Sequence, residues 1–226
     1  MLESDAFDED ENQLSRELSE GLPNPGDKLV QETPAGLRVD PLGYSDPRTP
    51  ETRSPVGRWG LYSGGFLEAG DLLVESLKNR PADPALIYPV FFVYRHHLEL
   101  ELKGRIRYCL RCLSGLDDAE IATRLKGRHD LHGLWNTFKS CYPDYAREMP
   151  KASRAFESLL SELSRIDPDS QGARYPVDTK GNQTLASFQH LDLSTFRSAI
   201  HKMSNYLGCI HEGMAQELDW RSEMES

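Results

Sequence analysis

Four ionisable side chains fall at helical spacing in the segment from residue 88 to residue 113, where together they could bind or act on an anionic ligand. They are Arg95, His96, Glu99 and Lys103. At about 100° per residue on a helix, they occupy an arc of roughly 100°. We predict a polar network between helices in which Glu99 pairs with Lys103 at i,i+4, leaving Arg95 and His96 for the ligand. The alternative is a charged helix face that meets only solvent.

Two further pairs of polar residues follow along the chain. His129-Asp130 precedes an apolar stretch at helical spacing, so Asp130 is placed to cap a helix and His129 could either act on a ligand or join a network with Asp130. Histidine suits proton transfer because its pKa lies near neutral pH. Arg174 and Asp178 share the segment Arg-Tyr-Pro-Val-Asp, where they could either lock a loop as an ion pair or contact a ligand.

These three groups are expected to meet in space. Charges on a helix face that turns inward must be hydrogen-bonded or must open onto a cleft. Consecutive helices of a bundle also tend to be neighbours. We therefore predict that Glu99 or His96 lies close to His129 or Asp130, and that Arg174 reaches the same cleft.

Helical periodicity extends over most of the chain beyond residue 65 and predicts an all-α fold class. The predicted helices span about 66–78, 89–113, 130–141, 151–166 and 192–218. The first of them begins after a glycine-punctuated stretch at 56–65. The segment near 172–184 is predicted to form a small hairpin or an ordered loop. The expected architecture is a single helical bundle with one long central helix, formed by residues 89–113.

The N-terminal part of the chain has a different composition. Residues 1–20 hold eight acidic residues against a single arginine, and residues 1–55 contain seven of the 14 prolines. Such a segment buries too little apolar surface to offset its ordering entropy. We predict a disordered acidic arm over 1–55 and a helical domain over 56–221. The arm either increases solubility or folds back over the basic region at 95–128, which has eight basic and five acidic residues.

The sequence gives little indication of a membrane protein, a secreted protein or a metal-binding protein. No apolar run approaches the roughly 18 residues of a membrane span, and the N-terminus is acidic where a secretory signal would be basic and then apolar. A cytoplasmic protein without membrane partners is expected. The four cysteines, at 109, 112, 141 and 209, fit reduced thiols, and the Cys109/Cys112 pair is interpreted as facing the core. No metal or cofactor is predicted.

The chain resembles the HEPN superfamily, helical domains found in prokaryotic defence and toxin systems. The likeness rests on Arg95-His96 with Glu99 and Lys103 on one long helix, followed by His129-Asp130-Leu131 at the start of another, and it covers roughly residues 66–215. Many members are metal-independent RNases that act as homodimers, and others are non-catalytic binding modules. Active members carry an arginine and, after four to six intervening residues, a histidine. Arg124 and His129 have four residues between them, whereas Arg197 and His201 have three.

The resemblance implies two functions. The first is a metal-independent endoribonuclease, or an RNase-derived effector, in antiviral defence or toxin-antitoxin biology. RNA cleavage needs a base for the 2′-hydroxyl, a cation for the phosphorane and an acid for the leaving oxygen. The catalytic candidates are Arg95, His96 and His129. The binding candidates are Glu99, Lys103, Asp130, Arg174 and Asp178. The second function is a non-catalytic helical interaction module that binds a protein partner or a nucleotide.

Overall fold

The computed structural model describes residues 55–79, 84–147, 149–168, 170–185 and 190–224. Most of these residues are helical. The six α-helices of these ranges are α1 (Pro55–Asn79), α2 (Ile87–Ser114), α3 (Asp118–Leu125), α4 (Leu131–Cys141), α5 (Pro150–Ile166) and α6 (Leu193–Met224). Short 3₁₀ turns lie at Pro84–Leu86 and Pro143–Ala146. The described residues contain no extended strand, so the all-α class is confirmed. The predicted arm, apart from Pro55, lies outside these ranges.

Local capping explains several helix ends. Asp117 accepts hydrogen bonds from the backbone N–H groups of Ala119 and Glu120, and Glu120 accepts one from the N–H of Asp117, which completes a capping box at α3. Asp130 caps α4 as predicted. Helix α2 ends at Gly115, whose φ of 64° is a left-handed conformation that glycine adopts without strain. Each of these ends depends on residues only a few positions apart, which is why the sequence alone predicted the cap at Asp130.

Helix α2 supplies much of the core. It contacts α1, α3, α4 and α6, and its fully buried apolar side chains are Val90, Phe91, Tyr94, Leu98, Leu102 and Ile106. Gly70 of α1 allows a close approach to α2, because a Cβ at this position would lie 2.5 Å from Cε1 of Tyr94. Helix α2 is therefore covered by other helices along much of its length.

Helix α1 begins eleven residues earlier than predicted, at Pro55 instead of Phe66. The glycines at 60, 64 and 65 suggested a non-helical stretch, since glycine destabilises a helix interior. Packing against α2 offsets that cost. The Ser63 carbonyl contacts Nδ1 of buried His97 at 2.8 Å. The Trp59 side chain lies against Gly104 and beneath the guanidinium of Arg107 at 5.4 Å.

The segment between α5 and α6 forms an ordered turn. A single antiparallel bridge joins Val177 to Gln183, and the carboxylate of Asp178 accepts hydrogen bonds from the N–H groups of Lys180 and Asn182, both at 2.8 Å. This arrangement matches the predicted ordered loop. Within the described ranges, no helix combines the length and the apolar character needed to cross a membrane.

Candidate functional site

The carboxylate of Glu99 joins α2 to the beginning of α4. Its Oε1 accepts a hydrogen bond from Nζ of Lys103 at 2.8 Å and lies 2.9 Å from Nδ1 of His129. The Glu99 side chain is only 1% exposed, whereas that of His129 is 47% exposed. A buried carboxylate thus orients an imidazole that reaches solvent. This contact confirms the predicted proximity of Glu99 and His129.

Arg95 lies beneath this pair and connects three segments. Its Nη2 donates to the backbone carbonyl of His129 at 2.9 Å, and its Nε donates to the carbonyl of Asp167 at 3.2 Å. The guanidinium also faces the carboxylates of Glu99 and Asp167, each at 3.4 Å. The Arg95 side chain is 0% exposed. Arg95 therefore holds the start of α4 and the end of α5 against α2, and in this conformation it does not reach the surface.

The charges around Glu99 favour its ionised form. Burial alone would raise the pKa of Glu99, but the hydrogen bonds and positive charges of Lys103 and His129 outweigh it and hold the pKa below its usual value. The interpretation of this face as a solvent-facing stripe is wrong, because Arg95, Glu99 and Lys103 are all buried. The predicted Glu99–Lys103 pair is confirmed.

His96 lies between aromatic rings at the edge of the network. Its ring stacks on Phe92 with a centroid separation of 5.6 Å and meets the edge of Phe66 at 4.5 Å. Burial lowers the pKa of His96, and the positive charges of Lys103 and Arg174 add to the lowering, while Glu99 opposes it. The neutral imidazole is therefore favoured. Arg174 neighbours the site, because its guanidinium lies 5.9 Å from the ring centroid of Phe92, on which His96 stacks.

Arg174 approaches from the ordered turn. Its Nε donates to the carbonyl of Ser170 at 2.7 Å, and its guanidinium lies 5.9 Å from the ring centroids of both Phe92 and Tyr175. The ion pair considered between Arg174 and Asp178 does not form, because Asp178 is engaged by the backbone of its own turn and by Asn182. Arg174 thus keeps a charged group at the edge of the site.

Asp130 and Asp178 have local structural contacts. Asp130 accepts hydrogen bonds from the N–H groups of His132 and Gly133 at 3.0 and 2.8 Å. The predicted alternative of a His129–Asp130 network is wrong, since the His129 ring contacts Glu99 instead. These two aspartates support the backbone on either side of the site.

A second polar cluster joins α1, α2 and α6. The Asp71 carboxylate accepts a hydrogen bond from the Tyr94 hydroxyl at 2.7 Å, forms an ion pair with Nε of Arg197 at 2.9 Å, and lies 2.9 Å from Nε2 of His201. The i,i+4 spacing of Arg197 and His201 is visible in the sequence, but their acidic partner Asp71 is not. Asp71 lies 130 positions before His201, and only the tertiary fold could reveal the pairing.

The cysteines differ from the prediction in one respect. Cys109 is buried, but Cys112 is exposed, so the pair does not face the core together. The reason is that the helix turns by about 300° over three residues, and only Cys109 lies on the covered side. In the described part of the chain, no group of three or more His, Cys, Asp and Glu side chains is arranged to hold a metal ion.

No protein-family model, curated protein or solved structure matches this chain. The resemblance to the HEPN superfamily consequently rests on the short motifs of the sequence.

Proposed function

We propose that this chain is an HEPN-like, metal-independent endoribonuclease or RNase-derived effector of prokaryotic defence or toxin-antitoxin biology. We further propose that the helices form a single bundle around α2. We also propose that the protein is a cytoplasmic homodimer that binds a cognate protein partner. One observation carries the catalytic assignment. The His129 ring reaches solvent while its Nδ1 lies 2.9 Å from the buried Glu99 carboxylate, an arrangement suited to a general base.

The chemistry follows from this orientation. An Nδ1–H that donates to Glu99 leaves the lone pair of Nε2 to accept the proton of a ribose 2′-hydroxyl. The 2′-oxygen then attacks phosphorus, the bond from phosphorus to the 5′-oxygen breaks, and a 2′,3′-cyclic phosphate forms. The leaving 5′-oxygen takes its proton from water, because the neutral imidazole favoured at His96 is a poor acid. The charge of Arg174 stabilises the phosphorane. Lys103 holds the Glu99 carboxylate, and Arg95 positions His129 from beneath.

The test is cleavage of total RNA and tRNA by the purified protein in the presence of EDTA. The wild type is expected to cleave, and His129→Ala is expected to abolish most of the cleavage. His132→Ala is a matched control, because His132 lies three residues further along and its ring contacts the Ser161 hydroxyl at 3.1 Å, away from Glu99. Absence of cleavage by the wild type, including protein freed of any bound partner, would overturn the catalytic proposal.

A non-catalytic interaction module is the second candidate, and an apolar groove between α5 and α6 favours it. The groove has a volume of about 800 Å³ and is lined by Leu159, Leu163, Phe196, Ile200 and Met203. Apolar grooves of this kind bind partner side chains or small ligands. A pull-down in which Leu159→Asp loses a partner retained by the wild type would support this function. Recovery of neither a protein nor a nucleotide would count against it.

A further inference from the structure

A groove of about 730 Å³ lies between the end of α5 and the ordered turn, and it is lined by Tyr175, whose ring centroid lies 5.9 Å from the guanidinium of Arg174. Its walls combine the apolar side chains of Ile166, Val177 and Leu185 with the amides of Gln171 and Gln183. Ligand sites for small molecules commonly have volumes of about 300–1,000 Å³ and the same mixture of apolar walls and a few polar groups. The groove is large enough for a nucleotide.

Tyr175 lines this groove and presents an aromatic surface to solvent. The residue is 55% exposed, and its ring centroid lies 5.9 Å from the guanidinium of Arg174. An exposed tyrosine of this kind can stack on a nucleobase, because every base has a π-face. A cation beside such a ring is suited to the phosphate that follows the base.

The guanidinium of Arg174 is oriented for an anion. Its Nε donates to the Ser170 carbonyl at 2.7 Å, and its Cζ lies 5.9 Å from the ring centroids of Phe92 and Tyr175. Among the described residues, Nη1 and Nη2 of Arg174 have no hydrogen-bond partner. These two nitrogens can contact a phosphate in a bidentate manner.

The turn that carries Arg174 and Tyr175 is fixed before any ligand arrives. The Asp178 carboxylate closes the turn, the Val177–Gln183 bridge joins its two arms, and Thr184 Oγ1 donates to the Gly172 carbonyl at 3.2 Å. A ligand that binds a pre-ordered loop loses less conformational entropy.

From these contacts we infer that the groove is a nucleotide subsite, in which an unpaired base stacks on Tyr175 and its phosphate binds Arg174. The inference rests on the proposed function in taking RNA as the ligand, and it adds that the RNA is single-stranded. Bases inside a duplex are stacked on one another and cannot lie against the tyrosine ring.

The test measures binding separately from cleavage. A fluorescent single-stranded RNA that carries 2′-O-methyl groups at every position cannot be cleaved through its 2′-hydroxyls, and its binding is followed by anisotropy in EDTA. Tyr175→Ala is expected to weaken binding by about 5- to 150-fold, the range for loss of one base-stacking contact. Arg174→Ala is expected to weaken binding and to reduce the slope of log K against log salt by about 0.7, the contribution of one phosphate on a single strand.

Two control variants separate stacking from folding. Tyr175→Phe keeps the ring and is expected to bind like the wild type. Tyr88→Ala removes another tyrosine of similar exposure, 51%, from the first turn of α2, and it is also expected to bind like the wild type. Equal binding by Tyr175→Ala and the wild type, equal affinity for duplex and single strand, or no binding of either RNA would overturn the subsite.

The outcomes also distinguish the subsite from catalysis. If the wild type binds the modified strand as predicted and fails to cleave the unmodified one, the endoribonuclease proposal is wrong and the subsite stands. If the wild type cleaves RNA and Tyr175→Ala binds the modified strand unchanged, the subsite is wrong and the endoribonuclease proposal stands.

Discussion

Glu99 and His129 form a carboxylate–imidazole pair with an Oε1–Nδ1 distance of 2.9 Å, and the carboxylate is buried while the imidazole is partly exposed. If this pair supplies the general base, Glu99→Gln should reduce RNA cleavage by about 10²- to 10⁴-fold, the usual contribution of acid–base catalysis. The uncharged amide introduced at position 99 lacks the negative charge that stabilises the imidazolium of His129 after it accepts a proton. Single-turnover cleavage of a defined RNA in EDTA measures the effect. A rate within threefold of the wild type would contradict the assignment.

Arg95 should contribute strongly to stability. Arg95→Ala leaves the buried carboxylates of Glu99 and Asp167 without their shared cation and the His129 carbonyl without a donor. Removal of one member of a buried ion pair typically costs about 3–5 kcal/mol. Urea denaturation at pH 7 measures the free energy of unfolding. Arg154→Ala, at an exposed position of α5, is the control and should change it by less than about 0.5 kcal/mol.

Three histidines should make the protein less stable in mild acid. Burial is the largest cause that lowers the pKa values of His96, His97 and His211. Near pH 6.5 these histidines therefore become protonated in the unfolded chain while they remain neutral in the folded chain. Their contribution to the free energy of unfolding is complete above that pH and decreases as the pH falls below it.

Urea denaturation at pH 7.5, 6.5 and 5.5 tests this pH dependence, with an upper limit of about 1.4 kcal/mol per pH unit for each histidine. His97→Gln should reduce the slope, because the buried His97 ring is then no longer a titrating group. Equal stability of the wild type at pH 5.5 and pH 7.5 would show that the pKa values of these histidines are not lowered in the folded protein.

The parts of the site that the sequence predicted depend on local rules. Asp130 was identified as the cap of α4 because a capping carboxylate binds N–H groups two and three residues ahead. Glu99 and Lys103 were paired because residues four apart are neighbours on a helix. The contact from Glu99 to His129 was inferred from the tendency of helices close in sequence to pack together, and it forms although the short helix α3 lies between α2 and α4. Each of these inferences involves one helix or two helices close in sequence.

The remaining parts depend on contacts between distant segments. Arg95 was predicted to bind a ligand. Its Nε instead donates to the carbonyl of Asp167, which lies 72 positions away and leaves no local signal in the sequence. The Asp71–His201 contact spans 130 positions and had no sequence signal on the acidic side. The early start of α1 was missed because the intrinsic preference of its glycines opposes the packing that makes the segment helical.

Gly70 should be required for the packing of α1 on α2. A Cβ at position 70 would lie 2.5 Å from Cε1 of Tyr94, whose side chain is fully buried and whose hydroxyl donates to Asp71 at 2.7 Å. The tyrosine would have to shift and would weaken that hydrogen bond. Overpacking of this kind typically costs about 1–3 kcal/mol. Gly70→Ala should therefore lower the free energy of unfolding in urea at pH 7 by that amount.

Gly64 provides the matched control for this substitution, because it lies on the same helix and a Cβ there would meet no atom within 4 Å. Alanine is a better helix former than glycine, so Gly64→Ala should raise the free energy of unfolding by about 0.5–1 kcal/mol. The two substitutions make the same chemical change and should shift the urea midpoint in opposite directions. If both substitutions raised the midpoint, helix propensity would control α1 and the close contact of Gly70 with Tyr94 would not.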